Sequence, residues 1–196
     1  NVPLEEINHI FITHRHIDHI LGVFWLLRRI GSKISKKKAS ELNIYCSKTT
    51  KEFLVLSSKY LLKKKITDLF EIKINFYELG HLKKMNIGKA ELTSFDINSL
   101  KEEQFGCMIR FDNFKVAYFG DEPYKNHIDE HLNELDIAFL DAYCLEKHAI
   151  NYNLSKMHHS TVEQSSKMAA KLQVKHLVLH HTEEIDTYRN RKQLYY

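Results

Sequence analysis

A mixed α/β fold is predicted by three observations. Near-continuous apolar runs of strand length, residues 7–13 and 135–140, lead straight into polar residues capable of chemistry. Segments with helix-opening signals alternate with such runs, and two further apolar runs flank Asp112-Asn113, which reads as a tight hairpin turn. Antiparallel hairpins inside that alternation argue against a doubly wound, purely parallel sheet.

The elements follow in order. Residues 7–13 carry Ile7, Ile10, Phe11 and Ile12, the pattern of a strand buried on both faces. Residues 21–30 read as a helix whose Arg28 and Arg29 favour its C-terminus, closed by Gly31. A short strand is expected over 42–46. Thr49 and Glu52 match a capping box opening a helix to about Leu62. Residues 70–79 alternate apolar and polar side chains, as a half-buried strand does, and residues 90–97, 105–111 and 114–119 read as further strands. After the strand at 135–140, Ser160 and Glu163 open a helix to about Leu172, and a strand over 175–179 delivers His180 and His181.

The 196 residues are 43% hydrophobic and 28% charged, which is enough apolar material for one globular domain of ordinary size, residues 1–196. No apolar run reaches the roughly 18 residues of a membrane span, and a cytoplasmic protein is expected. Cys46, Cys107 and Cys144 are odd in number and far apart, with no Cys-x-x-Cys pair, which argues against a disulfide framework and a zinc ribbon and favours small core residues. With 29 basic against 25 acidic residues the net charge is +4, which permits an anionic substrate without requiring nucleic acid. The lysines at 36–38 and 63–65 read as solvated loop and helix-end charges.

Chemistry concentrates in residues 14–19, His-Arg-His-Ile-Asp-His, at the end of the first strand. In an extended segment His14 and His16 point to one side, and as the chain turns into a helix Asp18 and His19 become adjacent ligands for a second position. Isolated histidines are usually surface or satisfied core residues, and 13 histidines allow chance clusters. Three histidines and an aspartate within six residues instead suit zinc, iron or manganese, and a metal pair can activate water for an in-line displacement.

The stretch Thr13-His14-Arg15-His16-Ile17-Asp18-His19 resembles the signature of the metallo-β-lactamase fold superfamily, and the resemblance extends over nearly the whole chain. It implies a four-layer αββα sandwich of the α/β (α+β) class with a dinuclear site at one edge of its sheets. The family places several strands before this motif, so the chain reads as incomplete at its N-terminus. The ending Leu194-Tyr195-Tyr196 reads like the middle of a helix, and so as incomplete too.

The resemblance also implies the remaining ligands. Gly120-Asp121 after an apolar strand matches the carboxylate that bridges the metals, although Gly-Asp alone is also an ordinary turn. His181 matches the last histidine ligand, with His180 one register away. Where the family has a further histidine this chain has Asn98, whose amide oxygen is a poorer zinc ligand. Unequal metal positions follow, and His81, in a Gly-His turn, reads as structural. Within the superfamily, Met157-His158-His159-Ser160-Thr161 and the helix and strand after it resemble the ribonuclease Z branch and its phosphodiesterase relatives. There the histidine matched by His159 supports the leaving group, paired with an acidic residue at the position of Asp141, while the Ser160 cap would be present whether or not His159 does chemistry. No Gly/Pro-rich insertion of the kind that grips tRNA is seen.

The implied function is metal-dependent hydrolysis of a phosphodiester in a small molecule or RNA. Metal-activated water, oriented by Asp18, would attack phosphorus while His159 and Asp141 assist departure. The expected cofactor is Zn2+, one or two per chain, with Mn2+ or Fe as substitutes. The reading allows a homodimer and no membrane partner. Two alternatives are a thioester or lactam hydrolase, which would not need the His159 and Asp141 pair, and a non-catalytic binding protein with a degenerate metal site.

Overall fold

A computed structural model describes residues 2–125 and 128–182. The chain packs as two compact units, one formed by the residues up to His81 with Glu102–Phe105, the other by Leu82–Lys101 and the residues from Gly106 onward.

The first unit is a parallel three-stranded sheet dressed with helices. Strands β1 (His9–Phe11), β2 (Leu42–Cys46) and β3 (Ile74–Glu78) lie in the order β1-β2-β3, with Ile10 opposite Ile44 and Ile44 opposite Phe76. Helix α1 (Ile17–Ser35) connects the first two strands, and α2 (Lys48–Leu61) and α3 (Lys64–Thr67) precede the third. The buried face of α1, with Ile20, Val23, Phe24, Leu27, Ile30 and Ile34, repeats every three or four residues and packs with Leu42, Ile44, Leu54 and Ile74 into one core.

The structure differs from three local expectations. Helix α1 runs well beyond residues 21–30, and Gly31 lies inside it rather than closing it. A Cβ at Gly31 would come within 2.9 Å of Cγ2 of Ile66, so this glycine gives α1 and α3 room to approach. Helix α2 is capped by Ser47, whose side chain accepts from the Thr50 N–H at 3.1 Å, and Thr49 lies inside the first turn. Only residues 74–78 of the expected 70–79 strand are extended; residues 71–73 turn, with Glu71 at φ 59°.

The second unit is a six-stranded mixed sheet in the order β4-β5-β6-β7-β8-β9: β4 (Lys83–Ile87), β5 (Ala90–Asp96), β6 (Phe105–Phe111), β7 (Phe114–Tyr118), β8 (Ile137–Asp141) and β9 (His176–His180). The Asp112-Asn113 turn joins β6 to β7 antiparallel, whereas β7, β8 and β9 run parallel. Strand β4 is absent from the sequence reading because Lys83, Lys84 and Asn86 dilute its apolar alternation. Helix α4 (Leu154–Met157) is a single turn, and α5 (Val162–Lys171) begins one residue later than expected, at a Thr161 capping box closed by Gln164. Phe95, Phe119, Leu135, Ala138, Leu140, Ala169 and Leu172 centre this unit's own core.

Cys46, Cys107 and Cys144 are buried free thiols, and burial pushes Cys46 and Cys107 up to about 12. Among the described residues no helix is long and apolar enough to cross a membrane. The expected helix around Leu194, Tyr195 and Tyr196 lies outside the described residues.

Candidate metal centre

In the first unit the chain leaves β1 through Ile12 and Thr13, and His16 is the N-cap of α1. This break between strand and helix turns the two histidines toward each other. His14 is fully buried, its Nδ1 lies 2.9 Å from the Thr13 hydroxyl and its Nε2 lies 2.9 Å from Nδ1 of His16. Thr13 thereby fixes the imidazole plane, as outer partners of ligating histidines do. In the first turn of α1, Nε2 of His19 stands 3.3 Å from Oδ2 of Asp18, and the rings of His14 and His19 are 4.2 Å apart. Asp18 keeps its carboxylate open to solvent, whereas the His19 side chain is mostly covered.

Glu102 is the residue that sequence reasoning missed. It lies on the segment preceding β6, where the Phe105 N–H donates to the Thr13 carbonyl at 3.0 Å. Its carboxylate accepts from the Arg15 backbone N–H at 3.2 Å and from Arg15 Nε at 2.9 Å, and Oε1 faces Nε2 of His16 at 3.6 Å. His14, His16 and Glu102 each offer a ligand atom within 4.8 Å of the others. Nothing in the run Lys101-Glu102-Glu103-Gln104 separates this glutamate from solvated loop charge.

In the second unit, β7 ends at Tyr118 and the chain turns at Gly120, whose φ of 76° is costly for any other residue, and this turn holds Asp121 buried. Strand β8 ends on Asp141 and β9 on His180, in register with each other. His181 follows at φ 58°, its Nε2 3.8 Å from Oδ2 of Asp121 and its Nδ1 3.5 Å from Oδ1 of Asp141. His180 points elsewhere, its ring stacked on Tyr118 at 4.8 Å. Of the two registers left open by the sequence, His181 is therefore the one that meets the carboxylates.

Asp141 also receives His159. Nδ1 of His159 lies 3.3 Å from Oδ1, and the Ser160 N–H donates to Oδ2 at 2.7 Å. Burial raises the Asp141 carboxyl above the usual carboxylate range, opposed by its bonds to His159 and Ser160 and by the charges of His159 and His181. The imidazole of His159 is sandwiched, with Tyr143 at 5.1 Å on one side and His181 at 4.8 Å on the other. Lys101 Nζ stands 3.5 Å from its Nε2. Asp141, His159 and His181 form a second trio with ligand atoms within 4.8 Å, and His159 also lines a cavity of about 350 Å3 with Tyr124, Gln164 and Met168. Tyr143 and Lys101 were not singled out from sequence, since neither lies in a motif.

Asn98 is exposed at φ 55°; its N–H donates to Asp96 Oδ1 at 2.7 Å and its carbonyl accepts from Lys125. The sheltered donors, imidazole and carboxylate in both units, are the set that zinc, manganese and iron prefer, so the residues fit the expected kind of metal.

Comparisons with known proteins agree with this architecture. Ribonuclease Z of Methanocaldococcus jannaschii is 40% identical over 86 residues, 44% of this chain and 25% of that enzyme, so the chain matches about a quarter of that relative's length. The metallo-β-lactamase fold protein YhfI of Bacillus subtilis superposes with a TM-score of 0.73 at 16% identity, covering 97% of this chain and 72% of that one. The short form of human tRNase Z gives a TM-score of 0.73 at 19% identity, with 93% and 74% covered. The mixed α/β fold expected from the sequence is the one these structures share. The chain also matches the family described as the beta-lactamase superfamily domain over residues 2–182, and it belongs to that superfamily.

Proposed function

We propose that the protein is a metal-dependent phosphodiesterase of the ribonuclease Z type, acting on RNA or on a smaller phosphodiester. The observation that carries this reading is the Asp141 and His159 pair, 3.3 Å apart and almost wholly buried. Cleaving a phosphodiester expels an alkoxide, which needs a proton or a positive charge as it leaves. With Nδ1–H of His159 donated to Asp141, Nε2 faces the leaving oxygen, and the imidazolium form would give it the Nε2 proton while Asp141 balances the ring's charge. Lys101, 3.5 Å from that nitrogen, adds positive charge where phosphate oxygens would gather. The Tyr143 and His181 rings hold the imidazole plane and limit the approach of water to its faces. We assign metal ligation to His14, His16, Asp18 and His19 of the first unit and to Asp121 and His181 of the second. Bound there, zinc or manganese would supply Lewis acidity and an activated nucleophile. The match to ribonuclease Z supports the phosphodiester as substrate.

Hydrolysis of an aromatic phosphodiester with added Zn2+ or Mn2+ tests the reading. His159→Ala is expected to lower kcat about 10²-fold to 10⁴-fold while leaving bound metal unchanged, and Asp141→Asn to lower it less. Turnover that survives His159→Ala, or that appears only with thioester or lactam substrates, would replace phosphodiester chemistry with the other hydrolysis. No metal-dependent turnover of any of these substrates would make the protein a binding protein.

A further inference from the structure

We infer that Glu102 is a metal ligand, the carboxylate that completes one position with His14 and His16; this rests on the metal-dependent reading above. Only 14% of the Glu102 side chain is exposed, against 46% for Arg15 and 42% for His16, its two partners. A surface ion pair contributes little and gives no reason to cover the carboxylate more than the cations that serve it. A metal ligand has that reason, since shielding from water strengthens the bond to the ion.

Geometry points the same way. Two donors each about 2.1 Å from a tetrahedral zinc lie roughly 3.4 Å apart. Oε1 of Glu102 is 3.6 Å from Nε2 of His16, and the whole trio falls within 4.8 Å, so closure on an ion needs side-chain adjustments of an ångström or less. The outer bonds are already made. Thr13 holds Nδ1 of His14, leaving Nε2 for coordination, and Arg15 Nε donates to Oε2 of Glu102, aiming the carboxylate. One strand end therefore sets four of the five parts, because Thr13, His14, Arg15 and His16 are consecutive, and the segment bearing Glu102 is tied to Thr13 through Phe105.

This assignment removes the need for a ligand at Asn98. Two imidazoles and one carboxylate form a full three-residue set, the same composition found in zinc hydrolases that keep one position open. The position is thus a complete site with a carboxylate in it and not a histidine site that has lost a member.

Titration of the full chain with Co2+, followed by its visible absorption and by competition with Zn2+, tests the assignment. Glu102→Gln preserves shape and one of the two oxygens that accept from Arg15 but removes the charge. It is expected to weaken one metal equivalent by about 10-fold to 100-fold and change the Co2+ spectrum, as His14→Ala does, with the remaining binding intact. Glu102→His should restore affinity, because imidazole can replace the carboxylate. Glu103→Gln, whose carboxylate bonds Thr49 at 2.9 Å, should leave both readouts unchanged. Arg15→Met separates ligation from loop tethering: it should weaken the metal equivalent less than Glu102→Gln and leave the Co2+ spectrum as in the parent, whereas a loss of both equal to that of Glu102→Gln would mean that Glu102 only holds the loop. Wild-type affinity and spectrum in Glu102→Gln, or no metal equivalent that depends on His14, would overturn the inference. If metal binding depends on Glu102 but no phosphodiester is turned over, the ligand assignment stands and the proposed reaction fails.

Discussion

Gly106 has no room for a side chain. A Cβ there would lie 2.3 Å from Cε2 of Phe95 and 2.8 Å from the carbonyl oxygen of Tyr118, and Phe95 is 1% exposed in the centre of its core. Neither neighbour can retreat: one is a ring packed on all sides, the other is backbone of the paired strand β7. Gly106→Ala is therefore expected to destabilise the protein by about 1–3 kcal/mol, read as a lower urea midpoint, and Phe95→Leu in the same chain should recover part of it. No gain from the second change would mean that the backbone contact dominates. Legibility at this scale follows the density of local signal. His14, His16, Asp18 and His19 stand out because four residues capable of ligation fall within six positions. Glu102 does not, because its partners lie more than eighty positions away and its neighbours are themselves charged. Gly106 likewise shows its purpose only once Phe95 and Tyr118 are in place.

Asp136 stands just before β8 and ties three strands together. Its carboxylate accepts from the Lys115 N–H at 2.7 Å and from Lys175 Nζ at 2.7 Å, while its own N–H donates to the Lys115 carbonyl and its carbonyl accepts from His176 N–H. The bond from Lys175, followed by the Lys115 N–H, holds its carboxyl below the usual range, and Lys175 is raised in turn. A depressed folded pKa means stability that is present above the unfolded value of roughly 3.9 and lost as pH falls through the folded one. Asp136→Asn should thus lower Tm at neutral pH, and the gap to the parent protein should close in acid, below the ordinary carboxylate range. A gap of constant size from neutral to acid would assign the effect to packing. Strand and helix identities were largely legible from periodicity, and strand β2 matched to the residue. Their ends were less so, because Ser47 and Thr49, or Ser160 and Thr161, are competing caps a residue or two apart and only tertiary context selects between them. Strand β4 escaped for a physical reason: it is an edge strand, and the lysines that blunt such edges erase the alternation that would reveal it.

For the whole molecule the question is the size of the substrate. A groove in the first unit is lined by Arg28 and Arg29 of α1, by Lys33, Lys36 and Lys38 at its end, by Lys63, the N-cap of α3, and by Lys65 within α3. Lys33 is drawn to Glu5 at 3.1 Å, but Lys36, Lys38, Lys63 and Lys65 are exposed. Read along the sequence, these were separate solvated runs within a chain of modest net charge, +4, and their convergence on one groove appears only when α1 and α3 pack. A phosphate backbone bound there would release counterions, so its affinity should fall with salt at roughly 0.7 logarithmic units per contacted phosphate for a single strand. Changing Lys36, Lys38, Lys63 and Lys65 to alanine together is expected to raise KM for an RNA substrate at least about 10-fold and to flatten that salt slope by about 2. Turnover of a small aromatic phosphodiester should be unchanged, since a single phosphate brings no run of charges for the lysines to hold. Equal KM and equal salt slope for RNA in the parent and altered proteins would point to a substrate of nucleotide size.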